Sequence, residues 1–182
     1  MNLSPRLRNA INTAATSHRD QVRKGSGIPY VSHLYQVMFL LSQVTDDEDV
    51  LIAGLLHDTL EDVPEQYDAL EMERDFGARV RGMVEDLTKI EDPSWQVRAD
   101  AYIQHLEHHT SNEAVLISTA DKLHNLMSIH DDLEVIGEAL WERFNSGKEQ
   151  QRWWYAEIAR VSTTRLGENV LNRQLQELVD KL

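Results

Sequence analysis

An all-α fold forming one domain over residues 1–182 is what this sequence predicts, and three observations carry the prediction. Apolar residues recur at helical spacing along most of the chain. The periodic segments are separated by short clusters of Gly, Pro, Ser and Asp, with no repeat, low-complexity tract or linker. Strand signals are weak, because β-branched runs such as 115–117 lie inside longer helical periodicities. A chain of 182 residues with 41% apolar and 27% charged residues is long enough to bury one substantial core.

Each element has its own signal. Ser4-Pro5 supplies a cap and a first-turn proline, which opens a helix running to about residue 23. Gly25-Ser-Gly-Ile-Pro29 reads as a loop. Helices then follow over 31–43, 49–57, 65–75, 78–89, 95–109, 113–130, 133–144, 148–166 and 168–182. Within this pattern Leu51-Ile-Ala-Gly-Leu-Leu-His57-Asp58-Thr-Leu-Glu61-Asp62 stands out, since an apolar helix ends in four ionisable side chains within six residues. Buried charge there needs compensation, and a bound cation supplies it. Glu61 is four residues from His57 and three from Asp58, so these groups share one helix mouth.

Imidazole with carboxylate suits one divalent ion such as manganese, iron or zinc, with Glu61 and Asp62 left to orient water and exchange its proton. The cluster alone does not close a metal site. His33, in Pro29-Tyr-Val-Ser-His33, and Asp121, at the end of the apolar segment 114–120, are the further ligand candidates. Together with His57 and Asp58 they supply two imidazoles and two carboxylates from three helices. The ordinary alternatives are a helix-terminal histidine with a turn aspartate at 57–58, a core histidine at 33, a capping or Lys122-paired aspartate at 121, and a solvated acidic turn at 61–62.

Composition narrows the function classes. Net charge is −13, which argues against nucleic acid or an anionic membrane as partner, because both require a basic face. Residues 1–30 nonetheless carry Arg6, Arg8, Arg19, Arg23 and Lys24 against Asp20 alone, a net +4. A local cationic strip beside an acidic body fits a small polyanion. Cysteine is absent, which removes disulfides, thiolate metal sites and a cysteine nucleophile. No apolar run approaches the roughly 18 residues of a membrane span, and no secretory pattern opens the chain, so a cytoplasmic location is the default expectation.

The blocks Arg23-Lys24 with Gly-Ser-Gly-Ile-Pro-Tyr-Val-Ser-His33, His57-Asp-Thr-Leu-Glu-Asp62, Phe76-Gly77 with Thr88-Lys89, and Ala120-Asp-Lys-Leu-His-Asn125 resemble the HD-domain phosphohydrolases, and more narrowly the small alarmone hydrolases related to RelA/SpoT. They occur in that family's order over about 14–126, and 140–155 resembles the C-terminal helices of its stand-alone members. Two departures are visible: an extra residue between Arg23-Lys24 and Pro29-Tyr30, and Leu34 where a proline often follows the histidine. The resemblance implies removal of 3′-pyrophosphate from a hyperphosphorylated guanine or adenine nucleotide, with one cation, manganese first, on His33, His57, Asp58 and Asp121. Glu61 and Asp62 would handle the water, and Arg23 and Lys24 would face the nucleotide. Asn125 would bond sugar or phosphate, Lys148 would balance phosphate charge, and Trp153 would stack on the base. Two rivals are an HD phosphohydrolase for another nucleotide and a non-catalytic helical nucleotide-binding module. The helices assigned leave no room for a synthetase domain within these residues.

Other signals are set aside. His105, His108 and His109 lie at a helix C-terminus, where imidazolium meets the helix dipole favourably. Gly25-Ser26-Gly27 is ordinary loop chemistry unless Arg23 and Lys24 give it a phosphate to hold.

Overall fold

A computed structural model describes residues 3–89 and 92–182. Every regular element in it is helical, and the one β feature among the described residues is an isolated antiparallel bridge between Val22 and Pro29. The chain divides into two compact units, 1–89 and 90–182.

The first unit holds α1 (Pro5–Ser17), α2 (Val31–Leu41), α3 (Glu48–Leu56), α4 (Thr59–Asp62), α5 (Ala69–Phe76) and α6 (Ala78–Leu87). Ser4 caps α1 by accepting from the Leu7 amide, with Pro5 in the first turn as its signal predicts. The helix stops at Ser17, well short of the expected residue 23, because His18 turns the chain into a narrow hairpin. Arg23 donates its backbone N–H to Ile28 O at 2.8 Å and Tyr30 donates to Gln21 O at 2.9 Å, so 22–29 pair locally instead of continuing the helix. Gly25 at φ +96° and Gly27 at φ +70° make the reversal, a region other residues enter only at a cost.

Helix α3 is the centre of this unit. Val50 through Leu56 are all buried, so it is apolar all round and packs against α1, α2 and α6. Gly54 permits the contact with α2: a Cβ there would fall 2.3 Å from Cδ1 of the buried Leu41. This close approach carries His33, in the first turn of α2, toward His57 at the end of α3. The one-turn helix α4, which sequence periodicity does not reveal, starts from Asp58, with Asp62 N donating to Asp58 O at 2.8 Å.

The second unit holds α7 (Trp95–His108), α8 (Asn112–Ile136), a 3-10 segment (Gly137–Arg143), α9 (Gly147–Leu166) and α10 (Val170–Val179). Helix α8 packs against α9, α10 and the 3-10 segment. It runs through the break expected between 130 and 133, since Asp131 and Asp132 lie outside the core and no breaker intervenes before Gly137 at φ +60°. Its buried polar groups are matched: Thr119 donates to Ser162 Oγ at 2.8 Å, and Tyr102 and Ser118 share a 2.9 Å hydrogen bond.

Candidate metal centre and active site

His33, His57 and Asp58 converge, each offering a ligand atom within 4.8 Å of the others. His33 is 0% and His57 4% exposed. The Nδ1 of His57 lies 2.9 Å from Gly54 O. A carbonyl only accepts, so Nδ1 carries the proton and Nε2 turns its lone pair inward, 3.0 Å from Asp58 Oδ2. The Nε2 of His33 stands 3.5 Å from the same oxygen. Imidazole lone pairs gathered on a carboxylate oxygen form the donor set that a divalent cation satisfies, so these residues fit the expected metal. They are the one such group among the described residues.

Neutral donors reach two of the carboxylates around this centre. Tyr30 donates its hydroxyl to Asp58 Oδ2 at 2.6 Å. Gln21 donates its amide to Asp62 Oδ2 at 2.8 Å. The Asp62 carboxyl is raised above the usual aspartate range, first by partial desolvation and then by the negative charge of Asp58, with the Gln21 donor pulling it back. Glu61 accepts both oxygens' worth of contact from Lys89, whose Nζ lies 3.0 Å from each, and the Lys89 backbone N–H donates to it at 3.3 Å. The Glu-Asp pair is thus divided among the described residues: Glu61 is bonded by the Lys89 ammonium and Asp62 by the neutral Gln21 amide.

Arg23 lies over the Tyr30 ring, 5.6 Å from its centroid, and Lys24 is exposed on the hairpin that follows. In the second unit Asp121 is 4% exposed. It pairs with Lys122 and accepts from Asn125 Nδ2 at 2.6 Å. Lys148 binds Glu138 at 2.9 and 3.2 Å and lies 5.7 Å from the Trp141 ring centroid. Trp153 meets the edge of Trp95 at 6.3 Å. Sequence reasoning gave no role to His18, Gln21 or Tyr30. The available signal was His18 three residues before Gln21, ahead of a Pro-Tyr step.

The HD domain family profile matches residues 10–140. The chain belongs to the HD-domain family. Among characterised members, the guanosine-3′,5′-bis(diphosphate) 3′-pyrophosphohydrolase MESH1 of Danio rerio is 38% identical over 130 residues, covering 68% of this chain and 69% of that protein. The human MESH1 is 32% identical over 186 residues, covering 97% and 92%. The bifunctional (p)ppGpp synthase/hydrolase SpoT of Escherichia coli K12 is 32% identical over 129 residues, but this HD-domain chain spans only 18% of its length. A solved structure of a metazoan SpoT ortholog, described as hydrolysing ppGpp, superimposes with a TM-score of 0.77 at 30% identity, covering 100% of this chain and 97% of that one. No helix among the described residues is long and apolar enough to cross a membrane.

Proposed function

We propose that this HD-domain protein is a metal-dependent phosphohydrolase that removes pyrophosphate from the 3′ position of guanosine 3′,5′-bis(diphosphate). The observation that carries the reading is the convergence of His33, His57 and Asp58 within 4.8 Å, in a chain similar over 97% of its length to a protein named for that reaction. When bound there, a divalent cation, with manganese the first choice, would supply Lewis acidity that lowers the pKa of water toward roughly 7 to 9.

His33 and His57 offer neutral nitrogen, and Asp58, steadied by Tyr30, offers an anionic oxygen. Asp121 is the proposed fourth ligand, supported by its burial and its place at the end of an apolar helical stretch. Asp62 is the proposed proton acceptor. Its raised carboxyl and its hold by the neutral Gln21 amide suit that work better than the Lys89-bonded environment of Glu61, which suits orienting water. Arg23 and Lys24 are proposed to meet phosphate. Asn125, Lys148 and Trp153 stay proposed nucleotide contacts on their chemistry, and Lys148 must exchange its Glu138 pair for phosphate to serve as one. The same proposal places the protein in the cytoplasm with its small nucleotide substrate and without a nucleic-acid partner, in keeping with a net charge of −13.

The test incubates purified, manganese-loaded protein with the guanosine and adenosine 3′,5′-bis(diphosphates) in parallel and resolves products by ion-exchange chromatography. Guanosine 5′-diphosphate with one pyrophosphate per turnover is expected. Absence of pyrophosphate from both substrates, with metal bound, overturns the reading.

A further inference from the structure

His18 takes no part in the ligand set, yet it is 1% exposed and faces both carboxylates' supports. It caps the C-terminus of α1, where its backbone N–H donates to Ala14 O at 3.1 Å, so the ring is placed by the fold. Its Nδ1 lies 2.5 Å from Gln21 Oε1. An amide oxygen only accepts, so Nδ1–H donates, and the other end of the same amide is left to donate to Asp62 Oδ2 at 2.8 Å. Reversing the amide would set its oxygen against the carboxylate. His18 therefore fixes which way Gln21 points.

The rest of the ring is used as well. Nε2 stands 3.5 Å from Oγ1 of the fully buried Thr59, in the turn between Asp58 and Asp62. Its face stacks on Tyr30, with centroids 5.4 Å apart and planes 19° from parallel, and Tyr30 is the residue that bonds Asp58. Asp62 needs such a hold. It sits on a one-turn helix at an exposed rim beside the charges of Asp58 and Glu61, and repulsion would swing it outward.

We propose that His18 and Gln21 are positioning residues for the hydrolysis: the imidazole orients the Gln21 amide, and the amide holds Asp62 Oδ2, so that the other carboxylate oxygen faces the water it deprotonates. This rests on the reading of Asp62 as the proton acceptor. No atom of His18 or Gln21 exchanges a proton with substrate; their effect is geometric, where small displacements of a reacting group carry large rate penalties.

The experiment is steady-state kinetics on guanosine 3′,5′-bis(diphosphate) with manganese-loaded protein, with metal content and thermal midpoint measured for every variant. Gln21→Leu is expected to lower kcat about tenfold or more, with KM within about twofold and metal retained. His18→Phe, which keeps a ring on Tyr30 but no donor, should fall similarly. His18→Asn, whose amide reaches near the Nδ1 position, should recover most of the loss. In an Asp62→Asn background Gln21→Leu should add almost nothing, because the two act as one unit. An equal fold-loss from Gln21→Leu in both backgrounds, a loss that tracks the thermal midpoint, or an unaffected kcat overturns the positioning role. Full turnover by Asp62→Asn alone instead overturns the reading of Asp62 on which it rests.

Discussion

Two apolar helical stretches in this molecule end in a buried or half-buried carboxylate, and they neutralise it differently. In the first unit α3 leads to His57-Asp58, where imidazole nitrogens and the Tyr30 hydroxyl surround the carboxylate. In the second, the buried stretch of α8 leads to Asp121, which already holds the ammonium of Lys122. A carboxylate oxygen gathered with two imidazole nitrogens makes a donor set suited to a divalent cation, whereas the Asp121 carboxylate is held against an ammonium on its own helix. The contrast supports His33, His57 and Asp58 as the core of the proposed metal site, to which Asp121 is the proposed fourth ligand. The sharpest way to break the comparison is His57→Ala or Asp58→Ala. Each is expected to abolish retained manganese and to reduce turnover to background while leaving helix content near wild type, read by elemental mass spectrometry, kinetics and circular dichroism. Asp121→Asn should lose metal too if it is the fourth ligand. Retention of metal by that variant alone would leave the first unit's triad as the whole protein contribution.

Next in size is the split within the acidic turn. Glu61→Gln and Asp62→Asn remove basicity with little change of volume and should each lower kcat by on the order of 10²-fold with metal retained. The two should part on a second measurement. Glu61→Gln releases Lys89 and so alters salt dependence of KM, while Asp62→Asn does not. Metal loss from either variant equal to that of Asp58→Ala would make the pair a ligand.

What sequence revealed and what it hid divide along the same line. The apolar run before His57 and the one before Asp121 were legible because burial leaves a continuous hydrophobic record. His33 was legible only through its surroundings. Hidden were contacts that depend on chain reversal: the Val22–Pro29 bridge brings Gln21 and Tyr30 together across a hairpin, and no periodicity encodes it. The turn α4 was hidden for a similar reason, since four residues are too few to show a helical repeat. Helix α1 ends before the expected residue 23 because His18 caps it, although the polar residues beyond continue the helical pattern. Tyr30, His18 and Gln21 lie outside the acidic and cationic clusters that stand out in the sequence.

The cationic strip gives a smaller effect. Arg23 and Lys24 stand on the hairpin of a protein whose net charge is −13, so as the proposed phosphate contacts they would set local attraction against general repulsion. Arg23→Glu with Lys24→Glu should raise KM by roughly tenfold or more with metal content unchanged. Raising the ionic strength should shrink the difference between variant and wild type, as steering is screened over about 8–10 Å. An unchanged KM would return both residues to the role of a solvated loop and move the phosphate site elsewhere.

The smallest effect separates a working carboxylate from a structural one. Asp62 is raised by desolvation and by Asp58, whereas Asp47 is lowered, chiefly by its hydrogen bond from Arg79 at 2.7 Å. The signs follow from linkage. A raised carboxyl binds its proton more tightly in the folded chain, so ionising Asp62 costs stability as pH rises above the ordinary value of 3.8, and the cost disappears below it. A lowered carboxyl does the opposite: Asp47 contributes stability above 3.8, and that contribution is lost as pH falls through its lower folded value. In metal-free protein Asp62→Asn should therefore raise the thermal midpoint slightly at pH 7, within about 2 °C, and leave it unchanged near pH 3. Asp47→Asn keeps the helix cap that Asp47 provides to the Asp49 amide at 3.0 Å, so it isolates charge from capping. It should lower the midpoint at pH 7 and do so less as pH falls toward 3. Both side chains reach solvent, which screens each effect to a small size, but their opposite signs are read in one series of melts from pH 3 to 7. A drop at pH 7 for Asp62→Asn would mean that its charge is stabilising, and that the turn is built around the ion rather than strained by it.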